Sequence, residues 1–170
     1  MRSTKLVCLI LCLLLAGCGF QLRGSYALPF TTLGIALDPR SEFYAVLRRT
    51  IETASATRVV AEADKPEATL RILNDNKQKI ILTLNAAGRA REYQLVRQFD
   101  FRVHDPQQRD FIPPSQIVIR REITFSDDLI LSKEAEEELI WRDVQTDLVQ
   151  QLMRRLAAAK LRVGVDTPTP

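Results

Sequence analysis

An α+β two-layer sandwich is the fold this sequence predicts, with a mainly antiparallel four-stranded sheet and two helices packed on one of its faces. Three observations lead there. Strand-like runs in the middle of the chain alternate apolar and polar residues. Two segments, one early and one at the C-terminal end, repeat apolar residues at helical spacing. A turn signal at Asn85-Ala86-Ala87-Gly88-Arg89 joins two of the strand-like runs.

The elements follow in order. Arg2 and Lys5 precede an apolar run from Leu6 to Leu15, and Leu15-Ala16-Gly17 leads directly into Cys18. A charged start, an apolar core and a small-residue flank are the layout of a secretory signal. The run is about half the roughly 20 residues that a membrane-spanning helix needs. Leu15-Ala16-Gly17-Cys18 resembles the lipobox of bacterial lipoproteins. That resemblance implies cleavage after residue 17 and a covalent lipid on Cys18, a diacylglyceryl group on sulfur and an acyl chain on the new N-terminus. Of the three cysteines, Cys8 and Cys12 would leave with the signal. No thiol would then remain for a disulfide or a thiolate metal site. Gly19, rather than an aspartate, follows the cysteine, and by the same resemblance this points to the outer membrane.

Residues 18–30 read as a lipidated tether, broken by Gly19, Gly24 and Pro29. Residues 31–163 read as one domain. Thr32 to Leu37 suits a short strand, and Asp38-Pro39 a helix entry. Phe43, Leu47, Ile51 and Ala54 then mark one face of a helix over roughly residues 40–55. Thr57 to Val60 is a second short extended piece. From Ala68 to Leu84, Leu70, Ile72, Ile80, Leu82 and Leu84 alternate around a polar interruption at Asn74–Lys79, where a bulge is expected. In the next strand Tyr93, Leu95, Phe99, Phe101 and Val103 share a face broken only by Arg97. That describes a sheet covered on one side. Asp105 to Pro114 reads as a loop, and Ile117, Ile119, Ile123 and Phe125 as the fourth strand. The last helix spans about residues 133–160, with Ile140, Val144, Leu148, Leu152 and Leu156 at four-residue steps. Ser132 or Asp128 would cap it, and Glu134 to Glu138 would complement its dipole. Residues 164–170 form a polar, Pro-rich tail expected to stay disordered.

Charge excludes one class of partner. Without the signal the chain keeps 22 basic against 21 acidic residues, a net of +1. Nucleic-acid binding calls for a strongly basic domain. Catalysis finds little support. His104 is the only histidine, Glu134 to Glu138 form an acidic run, and no nucleophile–base constellation or metal-ligand spacing accompanies either. No cofactor is expected beyond the lipid on Cys18.

Three segments carry a more specific resemblance: Cys18-Gly19-Phe20-Gln21-Leu22-Arg23-Gly24, Gly88-Arg89-Ala90-Arg91-Glu92-Tyr93-Gln94-Leu95, and Leu131-Ser132-Lys133-Glu134-Ala135-Glu136. Their order and spacing are similar to those of the LPS-assembly lipoproteins of the LptE family, over essentially the whole mature chain. The family implies a non-enzymatic role: a plug in the lumen of the outer-membrane β-barrel LptD, on the periplasmic side, that helps the barrel assemble and helps deliver lipopolysaccharide to the outer leaflet. By match to the family's basic positions, lipopolysaccharide contact falls on Lys133. The position before the hairpin glycine is Ala86 here, and Arg89 and Arg91 lie close enough to take its place. Each of these three is also compatible with a solvated charge or a barrel-wall contact. Two alternatives stand beside this reading: a lipoprotein that scaffolds barrel or envelope assembly without touching lipopolysaccharide, and a periplasmic enzyme using His104 or the Glu134–Glu138 run.

Overall fold

The computed structural model describes residues 26–124 and 130–160, with side chains in the last helix from Glu134 onward. Cys18, the tether to residue 25 and the tail from residue 161 lie outside these. The elements run β1 (Thr32–Ala36), α1 (Glu42–Ala54), β2 (Arg58–Val60), a single 3-10 turn (Glu62–Asp64), β3 (Ala68–Leu84), β4 (Ala90–His104), β5 (Asp110–Thr124) and α2 (Ile130–Ala157).

The sheet has five strands in the order β2-β1-β3-β4-β5 rather than the four expected. β1 pairs in parallel with both β2 and β3, while β3, β4 and β5 form an antiparallel meander. The extra strand is the Thr57–Val60 piece. With three residues it is too short to display an alternation, and α1 provides the crossover that a parallel neighbour requires.

Several local expectations are corrected. Ser41, not Asp38, caps α1: its hydroxyl accepts from the Tyr44 N–H at 3.2 Å and donates to the Asp38 carbonyl. Pro39 therefore stays outside the helix. The loop after β4 is shorter than Asp105–Pro114, because β5 begins at Asp110 and contains Pro113 and Pro114. An edge strand tolerates prolines, which cannot donate to a ladder, and the register shifts there between Phe101 and Val103. Because α2 starts at Ile130, Ser132 lies within it and the glutamates miss its first turn. Asp128 lies outside the described residues.

Both helices pack on one face of the sheet. Leu47 and Ile51 of α1 and Val144, Leu148, Leu152 and Leu156 of α2 share a core with Leu70, Phe99, Phe101, Ile117 and Ile119. Phe43 meets Phe99 edge to face at 5.7 Å, a contact of about 1 kcal/mol that fixes the start of α1 over β4. The other face carries an amide network. Asp100 accepts from Asn74, Gln98 and Gln116 at 3.2, 3.0 and 2.8 Å.

Cover runs out toward the β3–β4 turn. Leu73 occupies the bulge between Ile72 and Asn74, close to the expected irregularity. Beyond it Ile80, Leu82 and Leu84 are exposed instead of packed, as is Ile81.

Candidate functional site

The turn itself is built from Asn85 and Gly88. The Asn85 carbonyl accepts from the Gly88 N–H at 2.9 Å, and its side-chain oxygen accepts from the N–H groups of Ala87 and Arg89. Gly88 closes the turn at φ 75°, a left-handed conformation that glycine adopts without steric cost. Arg89 and Arg91 leave this turn on exposed backbone. Around them Ile81 and Leu84 are 54% and 59% exposed. The hairpin end thus combines guanidinium groups with uncovered aliphatic surface.

α2 reaches the same region. Lys77 lies over the Trp141 ring at 5.5 Å, and Lys79 bonds Glu137 at 2.6 Å while lying over Tyr93 at 4.4 Å. Going backward along α2 from Trp141 to Glu137 therefore means going outward along β3 from Lys77 to Lys79. Lys133 is one helical turn further along that direction, toward Ile81 and the arginine-bearing end of β4. Its side chain lies outside the described residues. Leu139, also exposed, adds apolar surface on α2. Sequence reasoning missed Lys77 and Lys79, although their alternate spacing in the polar interruption placed them on one face. It also read Glu137 as a dipole partner rather than the partner of Lys79.

The remaining candidates do not assemble a reaction centre. His104 is buried at the end of β4, and its Nδ1 lies 2.8 Å from the Asp105 carbonyl oxygen. Asp105 in turn is held by the Arg109 backbone and guanidinium at 2.8 and 2.7 Å. Burial raises the Asp105 pKa, but these Arg109 bonds outweigh it and leave the carboxyl below its usual range. Glu138 pairs with Arg142. Among the described residues no group of three or more His, Cys, Asp or Glu side chains is placed to hold a metal ion. A groove of about 610 Å³ between α1 and α2 is walled by threonines and aliphatic residues, without a nucleophile–base pair.

Fold and site together define a small α+β sandwich with an amphiphilic, basic hairpin end. Among the described residues no helix is long and apolar enough to cross a membrane. Similarity to known proteins names the family. The LptE family, described as lipopolysaccharide-assembly, matches residues 30–156. The LPS-assembly lipoprotein LptE of Pectobacterium atrosepticum is 31% identical over 161 residues, covering 91% of this chain and 85% of that protein. That of Yersinia enterocolitica is 30% identical over 149 residues, covering 85% and 70%. A lipoprotein B structure from Nitrosomonas europaea superposes with a TM-score of 0.71 at 35% identity, covering 82% of this chain and 91% of the other. Rare lipoprotein B from Shewanella oneidensis shares the fold, with a TM-score of 0.62 at 23% identity and coverage of 75% and 94%. This chain belongs to the LptE family of LPS-assembly lipoproteins, which are non-enzymatic accessory proteins.

Proposed function

We propose that this lipoprotein, anchored through lipid on Cys18 to the periplasmic leaflet of the outer membrane, plugs the lumen of the LptD β-barrel, assists its assembly, and binds lipopolysaccharide on the way to the outer leaflet. The observation that carries the reading is the hairpin end. Arg89 and Arg91 stand beside exposed Ile81 and Leu84, and the turn of α2 that bears Lys133 points to the same end. Lipopolysaccharide combines phosphates with acyl chains. A planar guanidinium binds phosphate oxygens through paired hydrogen bonds, and adjacent aliphatic groups meet the chains. The open sheet face, a network of amides and carboxylates, suits a polar barrel lumen.

The test has two readouts. An affinity tag after Pro170 should recover one large β-barrel in stoichiometric amount from membranes, whereas a lone monomer would overturn the plug. Charge reversal at Arg91 and Lys133 should weaken lipopolysaccharide binding without loss of the barrel. If binding is unchanged, the contact residues are wrong, and a scaffold that never touches lipopolysaccharide becomes the better reading.

A further inference from the structure

We infer that the groove between α1 and α2 is the docking site of this chain's own N-terminal segment, residues 22–25, which seats Leu22 there. The inference goes beyond the barrel and lipopolysaccharide readings and depends on neither.

The groove begins where the described chain begins. Tyr26 lines it, and the Tyr26 N–H donates to the carbonyl of Ala54 at 2.7 Å, pinning the chain to the last residue of α1. The residues before Tyr26 must therefore depart from the groove's own mouth. Along α1 the wall runs from Ala54 back to Val46, eight residues, or about 12 Å at helical rise. Leu22 to Tyr26, four steps in extended form, span about 13 Å. From Leu22 onward the segment and the groove match in length.

They also match in chemistry. The threonines on the walls have their hydroxyls engaged: Thr50 donates to the Val46 carbonyl at 2.8 Å, and Thr146 to the Arg142 carbonyl at 3.0 Å. What they offer an occupant is largely methyl surface, continuous with buried Met153. Gln150 contributes a carboxamide able to pair with a backbone group. Against this, the segment places the aliphatic side chain of Leu22 four positions before Tyr26, within the groove's length. Docking would turn a leash into a strut. An undocked seven-residue tether allows Cys18 to roam about 23 Å from the domain, whereas a docked one fixes the lipid anchor relative to the α1–α2 seam.

Cysteine pairing in the full-length lipidated protein tests this. Once Cys18 is acylated and the signal has gone, no native thiol competes. Leu22→Cys with Val46→Cys should form an intramolecular disulfide at least about fivefold more readily than Leu22→Cys with Gln116→Cys, whose second site lies on the open sheet face. Thr50→Cys replaces Val46→Cys if the latter harms folding. Equal yields, or a disulfide-linked dimer in place of the internal bridge, would overturn the inference. A second readout is maleimide labelling of Thr50→Cys alone. Labelling should speed up when Leu22 is changed to serine. If it responds only to removal of the ester-linked acyl chains from the mature protein by a lipase, the acyl chain occupies the groove and the segment does not.

Discussion

Arg97 points into the helix-covered face of the sheet, where Nε and Nη2 hold both oxygens of Asp75 on the neighbouring strand at 2.9 and 2.8 Å. Its guanidinium also lies 4.8 Å from the centre of the Phe43 ring. Arg97 is 2% exposed and Asp75 is at the margin. A buried cation of this kind is tolerable only while its partner is present. Asp75→Ala should therefore cost about 3 kcal/mol, read as a shift in the urea midpoint at constant slope. Arg97→Met with Asp75→Ala should recover much of that loss, because a methionine leaves no charge to desolvate. A double variant as unstable as Asp75→Ala alone would show that the pair is not the source of the cost.

Gly34 in β1 makes a different demand. A Cβ there would lie 2.8 Å from Cγ of Pro66 and 3.4 Å from the Thr69 hydroxyl. The proline ring cannot rotate away, so Gly34→Ala should destabilise by about 1–3 kcal/mol. Adding Pro66→Ala should return part of that. Additive losses in the double-mutant cycle would rule out the contact as the cause.

These two sites mark where sequence reading works and where it stops. Leu47, Ile51, Val144, Leu148, Leu152 and Leu156 were legible because four-residue spacing implies a shared face, and all are buried. Arg97 stood out as the one break in the apolar face of β4. Periodicity says which side chains share a face but not what covers that face. Ile80, Leu82 and Leu84 therefore read as core, whereas the bulge at Leu73 shifts the alternation and sets Ile80 opposite Gln94, on the face away from the helices. Pro113 and Pro114 read as loop because their edge position depends on strand order, which no local pattern encodes. At the hairpin the arginines were evident from sequence, but Lys79 acquired meaning only when Glu137, 58 residues away, met it.

Asp100 should leave a signature in acid. Hydrogen bonds from Gln116 and Gln98, and then Asn74, hold its carboxyl below the ordinary value of 3.8. A carboxyl whose folded-state pKa is depressed adds stability above its unfolded-state pKa and loses it as pH falls through the folded-state value. Wild-type stability should thus fall more steeply below about pH 4 than that of Asp100→Asn, which has no proton to take up. Stability curves for the two proteins between pH 6 and pH 2 that stay parallel would exclude Asp100 as a contributor.

Gly88 allows a prediction confined to the hairpin end. At φ 75° a Cβ would meet nothing within 4 Å, so Gly88→Ala carries a backbone penalty and no clash. That penalty is about 1 kcal/mol, or about fivefold in the local opening equilibrium. The turn is far from the core, and its opening should not require global unfolding. Amide exchange at Asn85 and Arg89, whose N–H groups are bonded within the turn, should accelerate about fivefold while exchange at Phe99 and Phe101 stays unchanged. Equal acceleration at all four would mean that the turn and the core open together. The same variant bears on function. If Arg89 and Arg91 bind lipopolysaccharide from a pre-set turn, Gly88→Ala should weaken binding by a similar factor even though both arginines remain.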